Sequence, residues 1–124
     1  MNTRKIDQLI AENVFGWKTN HFQNIDIISV YADDGEEFSI PDDFCPTEDI
    51  ADAWKVIKEM RFKGIYFEIS SSSCRVASYV MKEDQTLPYN YRQELSSEQC
   101  ESIEMKDMPL RICMASLKAL NVTF

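Results

Sequence analysis

The sequence predicts an α/β (α+β) fold in which a small, mainly antiparallel sheet is covered by about three helices. Three observations carry this expectation. Apolar residues recur at helical spacing in three separated stretches, around residues 6–14, 50–57 and 110–120. Between them, β-branched residues gather at 25–32 and alternate with polar ones at 65–69. Each apolar stripe must be buried against another element, so these helices and strands require layering, and no repeat or linker divides the chain, which reads as a single domain over 1–124.

Taken in order, residues 3–14 predict an amphipathic helix with Ile6, Leu9, Ile10 and Val14 on one side, Thr3 placed to cap it and Asp7 near its positive end. Gly16 ends that helix. The run Ile25–Ala32 predicts a strand, and Asp33-Asp34-Gly35 a turn into a short second strand over Glu36–Ile40. Pro41–Pro46 is a loop, after which Thr47 is placed to cap a helix over 48–60 carrying Ile50, Ala53, Trp54 and Ile57 on one face. Gly64 breaks it, and Ile65, Phe67 and Ile69 alternate as in a strand before the serines Ser71–Ser73 turn the chain into a second strand, Cys74–Met81. Residues 82–106 are polar, include Pro88, and read either as a long excursion or as a short strand with loops. Pro109 opens a final helix over 109–120, with Leu110, Ile112, Cys113, Leu117 and Leu120 apolar.

A length of 124 residues buries enough surface for a self-standing core, and 44% hydrophobic with 11% aromatic residues is the composition of an ordered protein. The formal charge of −8 and the lack of any Lys/Arg run argue against direct nucleic-acid binding, which needs clustered cations to displace counterions. No apolar run approaches the roughly 20 residues of a membrane span, and the opening residues lack the apolar core of a signal peptide, so a cytoplasmic protein is expected. Cys45, Cys74, Cys100 and Cys113 are widely spaced with no CxxC pair and read as reduced structural thiols.

The stretch VFGWKTNHF, residues 14–22, holds three aromatics and the sole histidine. His21 has the titration range of a general base or metal ligand, but no HxH, HExxH or CxxC pattern accompanies it, and no metal or other cofactor is expected. Asp33–Glu37 lacks the twelve-residue ligand alternation of a calcium loop, and Ser70–Ser73 lacks a GxSxG elbow. Trp54 falls on the apolar stripe of its helix and is expected in the core. Trp17 is expected to fold back through the Gly16 turn and pack against the helix 48–60 region, leaving Lys18 and His21 on the surface.

Three landmarks, IAENVFGW near the start, CPTEDIADAW in the middle and MPLRICMASLKAL at the end, together resemble the phage ABA sandwich domain family, small proteins encoded by phages and prophages of Gram-positive bacteria. The matching positions are Gly16 and Trp17; Thr47, Asp49, Ile50, Ala53 and Trp54; and Pro109, Leu110, Ile112, Cys113, Leu117 and Ala119. Cys45-Pro46 and Arg111 depart from the residues common in the family there. The resemblance implies an α/β sandwich and attaches no general biochemical activity.

Together these readings lead to a non-enzymatic phage or prophage accessory protein of the bacterial host cytoplasm, binding a host protein or a small molecule, with no membrane association and with homo-oligomer formation left open. If the ligand is a nucleotide signal, cationic and aromatic side chains must converge, and Trp17, Lys18, His21, Tyr89, Tyr91 and Arg92 are the residues nominated for ligand binding. One alternative is an acidic decoy of a host DNA-binding protein, using Asp33–Glu37, Asp42-Asp43 and the group Glu48, Asp49 and Asp52. The other is a small-substrate enzyme using His21 with a carboxylate such as Asp26.

Overall fold

The computed structural model describes residues 2–83, 85–86 and 89–124, so Pro88 lies outside the described residues. The elements run α1 (Thr3–Asn13), β1 (Lys18–Phe22), β2 (Ile27–Tyr31), β3 (Glu37–Ile40), α2 (Ile50–Phe62), β4 (Tyr66–Ser70), β5 (Arg75–Lys82), β6 (Tyr91–Gln99) and α3 (Met108–Ala119). The strands form two antiparallel three-stranded meanders, β1-β2-β3 and β4-β5-β6, and with the three helices they make an α+β sandwich. The expected helices and the expected hairpins are present, but the strands divide into two sheets.

Two strands carry no apolar alternation and were not legible. β1 pairs with β2 from Lys18↔Tyr31 to Phe22↔Ile27, yet four of its five residues are exposed. β6 pairs with β5 along its whole length, and its first five residues are exposed. Both are edge strands; β1 buries none of its residues, and β6 buries only the polar Ser96 and Glu98. The register of β6 slips between Ser78↔Ser96 and Tyr79↔Glu94, which leaves Leu95 as the extra residue of a bulge.

The helix starts differ from expectation in an informative way. Asn2, not Thr3, caps α1 by accepting the Lys5 N–H. Asp49, not Thr47, caps α2, its carboxylate accepting the N–H groups of Ala51 at 2.8 Å and Asp52 at 3.4 Å. Thr47 is thereby free to bond elsewhere, and its N–H and hydroxyl both donate to the buried carboxylate of Asp7 on α1, at 3.0 and 3.1 Å. That pair ties the start of α2 to α1.

The core forms two neighbouring clusters joined by α3. Ile6, Ile10, Val14, Ile28, Val30, Ile40, Phe44, Val56 and Met60 pack with Cys113, Met114 and Leu117 of α3, while Val76, Cys74, Cys100 and Ala53 pack with Met108, Ile112 and Ala115 of the same helix. All four cysteines are free thiols, Cys45 partly exposed and the other three buried.

Trp54 corrects the sequence reading, because its side chain is 50% exposed. The buried face of α2 is Asp52, Ala53, Val56 and Met60, and Trp54 lies about 100° round the helix from Ala53. A stripe drawn through the bulkiest residues, Ile50 and Trp54, satisfies the same period while choosing the wrong side.

Candidate functional site

Gly16, at φ 73°, takes the left-handed conformation that ends α1 cheaply, and the Trp17 N–H then donates to the Ala11 carbonyl at 3.0 Å. The ring of Trp17 stacks on Phe15 with centroids 4.3 Å apart and planes 14° from parallel. It also meets Phe38 of β3 edge-on at 5.0 Å and Phe44 of the following loop at 5.6 Å. Phe44 in turn stands edge-on to Phe15. The expected fold-back therefore occurs, with ring contacts to β3 and the 41–46 loop and packing against the core cluster that holds Val56 and Met60 of α2.

Beside these rings lies a cavity of about 670 Å³, a size typical of ligand sites. Trp17, Phe38 and Phe44 give it aromatic walls, while Asp33, Asp34, Glu36, Glu37 and Asp43 surround them with carboxylates. Two of these acids are fixed by the backbone: Asp34 accepts the Glu36 N–H at 2.9 Å, and Asp43 accepts the Ser39 N–H at 2.9 Å and its hydroxyl at 3.2 Å. Among the described residues Lys55 of α2 is the one cation lining the cavity, and its ammonium already pairs with Asp52 at 3.2 Å. In the sequence, DDGEE reads as turn chemistry and solubility. The missing signal is that Phe38, next to Glu37, and Phe44, in the loop after β3, line one cavity with these acids and with Trp17.

The six nominated residues are placed as follows. Trp17 lines the cavity, whereas Lys18 and His21 are exposed along β1, opposite Tyr31 and Ile28. Tyr89 is exposed outside regular structure, and Tyr91 and Arg92 open β6 in the other sheet. Arg92 lies over the Tyr79 ring at 3.9 Å and pairs with Glu68 at 2.6 Å, so local partners already engage its charge. The nominated set thus divides between the two sheets.

His21 does meet Asp26, Nε2 to Oδ1 at 3.3 Å, while Arg4 also pairs with that carboxylate. The recess there holds about 140 Å³ and is lined by Asn2, Arg4, Lys5, Gln8 and Ile28 with the pair, so among the described residues no hydroxyl or thiol faces it. A histidine and carboxylate can move a proton, yet this recess presents no nucleophile for them to activate. Cys45 is no better placed. Its Sγ lies 3.6 Å from Asp7 and 3.7 Å from Glu48, and burial, then the Asp7 charge, push the thiol up to about 12, so at neutral pH it is a weak donor and not an attacking thiolate. Among the described residues no group of three or more His, Cys, Asp or Glu is arranged to hold a metal ion.

The order of these parts, an α1 ending in Gly16-Trp17, an α2 opened by Asp49 and a closing α3, agrees with a sequence profile, that of the phage ABA sandwich domain, which matches residues 8–117. The chain belongs to the phage ABA sandwich domain family. Membership makes it a phage-associated protein. No curated protein and no solved structure matches it. No helix among the described residues is long and apolar enough to cross a membrane. Arg111 bonds Asp107 at 2.7 Å and Glu101 at 3.2 Å and lies 3.7 Å from the buried Glu98, and Cys45 faces Asp7; neither lines the carboxylate-edged cavity.

Proposed function

We propose that this member of the phage ABA sandwich family is an accessory protein that acts by binding, and that the cavity beside Trp17 receives an Arg or Lys side chain of a host protein. The observation that carries the reading is the pairing of aromatic walls, Trp17, Phe38 and Phe44, with five carboxylates around one concavity. Aromatic faces attract a cation through their quadrupole, and carboxylates at the rim add charge-assisted hydrogen bonds. The same carboxylates repel a phosphate, so a nucleotide signal fits this cavity poorly. They also gather in one place, whereas a decoy of duplex DNA needs charges spaced at about 1.7 Å along an axis.

Trp17 supplies the readout. In a Trp54→Phe background, short Arg- and Lys-bearing peptides titrated at low salt are expected to change Trp17 emission saturably. Asp34→Asn with Glu37→Gln is expected to weaken that response by about tenfold, equivalent to about 1.4 kcal/mol. A saturable response to nucleotides with none to the cationic peptides would overturn the reading and restore the nucleotide alternative.

A further inference from the structure

The outward face of α2 carries a row of apolar residues that the protein's own packing leaves uncovered. Ile50 is 42%, Trp54 50% and Phe62 77% exposed, and with Lys58 between the last two they follow one another at four-residue steps, the spacing of a single helix ridge. Singly exposed apolar residues are common, but three on one ridge of one helix mark a surface that associates.

The charges on this helix are mostly sorted by position, with Lys55 near its middle and Glu59 the one acid in its later half. Glu48 and Asp49 stand at its start, while Lys58, Arg61 and Lys63 stand toward its end. Two such helices laid side by side in the same direction oppose acid to acid and base to base. Laid antiparallel, each acidic start meets a basic end, and the helix dipoles also align favourably. A two-fold axis near the middle of the ridge sets Ile50 of one protomer toward Phe62 of its partner and Trp54 toward the partner's Lys58, an aromatic face toward an ammonium.

We propose that the protein forms a two-fold homodimer through antiparallel pairing of its α2 helices along the Ile50–Trp54–Phe62 ridge. The surface is complementary to itself in both apolar content and charge, which is what an isologous contact requires. A helix of 13 residues is about 20 Å long, so the contact falls at the small end of specific interfaces and the dimer is a weak one. The pairing is independent of the Trp17 cavity.

Sedimentation velocity of the full chain tests it. Between about 1 and 500 µM, the mass is expected to rise from 14.4 kDa toward twice that value. Trp54→Glu and Phe62→Glu, both at exposed positions, are expected to hold the chain monomeric with unchanged circular dichroism, while Ile103→Glu, at a site 89% exposed and outside α2, leaves the dimer intact. Glu48→Lys and Lys63→Glu are each expected to weaken association, and the two together to restore it, as the antiparallel arrangement demands. A wild-type mass fixed at 14.4 kDa across the range overturns the homodimer and assigns the ridge to another occupant, and a dimer that survives Trp54→Glu and Phe62→Glu overturns the surface.

Discussion

Asp7 holds its carboxylate in the interior at 1% exposure, where a charge is costly, and keeps it there for its bonds to Thr47. Burial raises its pKa from the ordinary 3.8 to about 6; the Thr47 N–H, the Thr47 hydroxyl and the Cys45 thiol pull the other way, and the charge of Glu48 adds to the rise. A folded-state pKa above the unfolded one means that the folded protein binds the proton more tightly. The associated stabilisation is therefore present in full below pH 3.8 and is lost as pH rises through about 6. The rise corresponds to about 3 kcal/mol. Denaturant unfolding at pH 4, 5, 6 and 7 is expected to show the wild type losing stability relative to Asp7→Asn as pH increases, by most of that amount, with the larger part of the change between pH 4 and 6. A difference between the two proteins that does not vary with pH would show that Asp7 does not titrate in this window. Gly16 makes a simpler case: at φ 73°, with no atom within 4 Å of where a Cβ would stand, Gly16→Ala has room and suffers only backbone strain, so a loss of about 1 kcal/mol is expected from thermal melting.

At the scale of elements, the two tryptophans part company: Trp17 packs as its place after a helix-ending glycine leads one to expect, whereas Trp54 inverts the core position expected for it. Trp17, after a helix-ending glycine, has three ring partners; Trp54, on an apolar helical stripe, stands half in solvent. Trp17→Ala is expected to cost about 3–5 kcal/mol by leaving a void among Phe15, Phe38 and Phe44, whereas Trp54→Ala in the monomer is expected to stay within about 0.5 kcal/mol. Urea midpoints at low protein concentration check the contrast, and equal losses at the two positions would contradict it. The reason for the inversion is local. Period 3.6 fixes that α2 has one buried side, but Ala53, Val56 and Met60 define that side as well as Ile50 and Trp54 define another, and only the tertiary contacts choose. The helices and the strands with buried faces were legible because burial imprints a period on the residues. β1 and β6 were not, since β1 buries no residue and β6 buries only the polar Ser96 and Glu98, which print no apolar period. The cavity was half legible: Trp17 was nominated, but its acids and the other two rings come from the β2–β3 hairpin and the loop after it, and sequence distance conceals that meeting.

For the whole molecule, α3 decides whether the two sheets behave as one body. Eight of its residues are buried, and they serve both clusters: Cys113, Met114 and Leu117 face the one with β2 and β3, and Met108, Ile112 and Ala115 the one with β5. Polar bonds reinforce the join. The Ser96 hydroxyl of β6 donates to the Ala115 carbonyl at 2.8 Å, and the buried Glu98 on the same strand is met by Arg111 and Lys118 of α3. Lys118 still meets Glu98 when Arg111 is removed, but the charged bonds of Arg111 to Asp107 and Glu101 are lost, so Arg111→Ala is expected to cost about 1–3 kcal/mol. If α3 couples the sheets as this packing implies, that loss is felt everywhere. Unfolding followed through Trp17, which sits by the first sheet, and through far-UV circular dichroism, which sums over both, is expected to give one coincident transition in the wild type and one, at lower denaturant, in Arg111→Ala. Two separated transitions, with the Trp17 midpoint unmoved by the Arg111 substitution, would instead make each sheet its own folding unit, with α3 a shared lid and no coupling element between them.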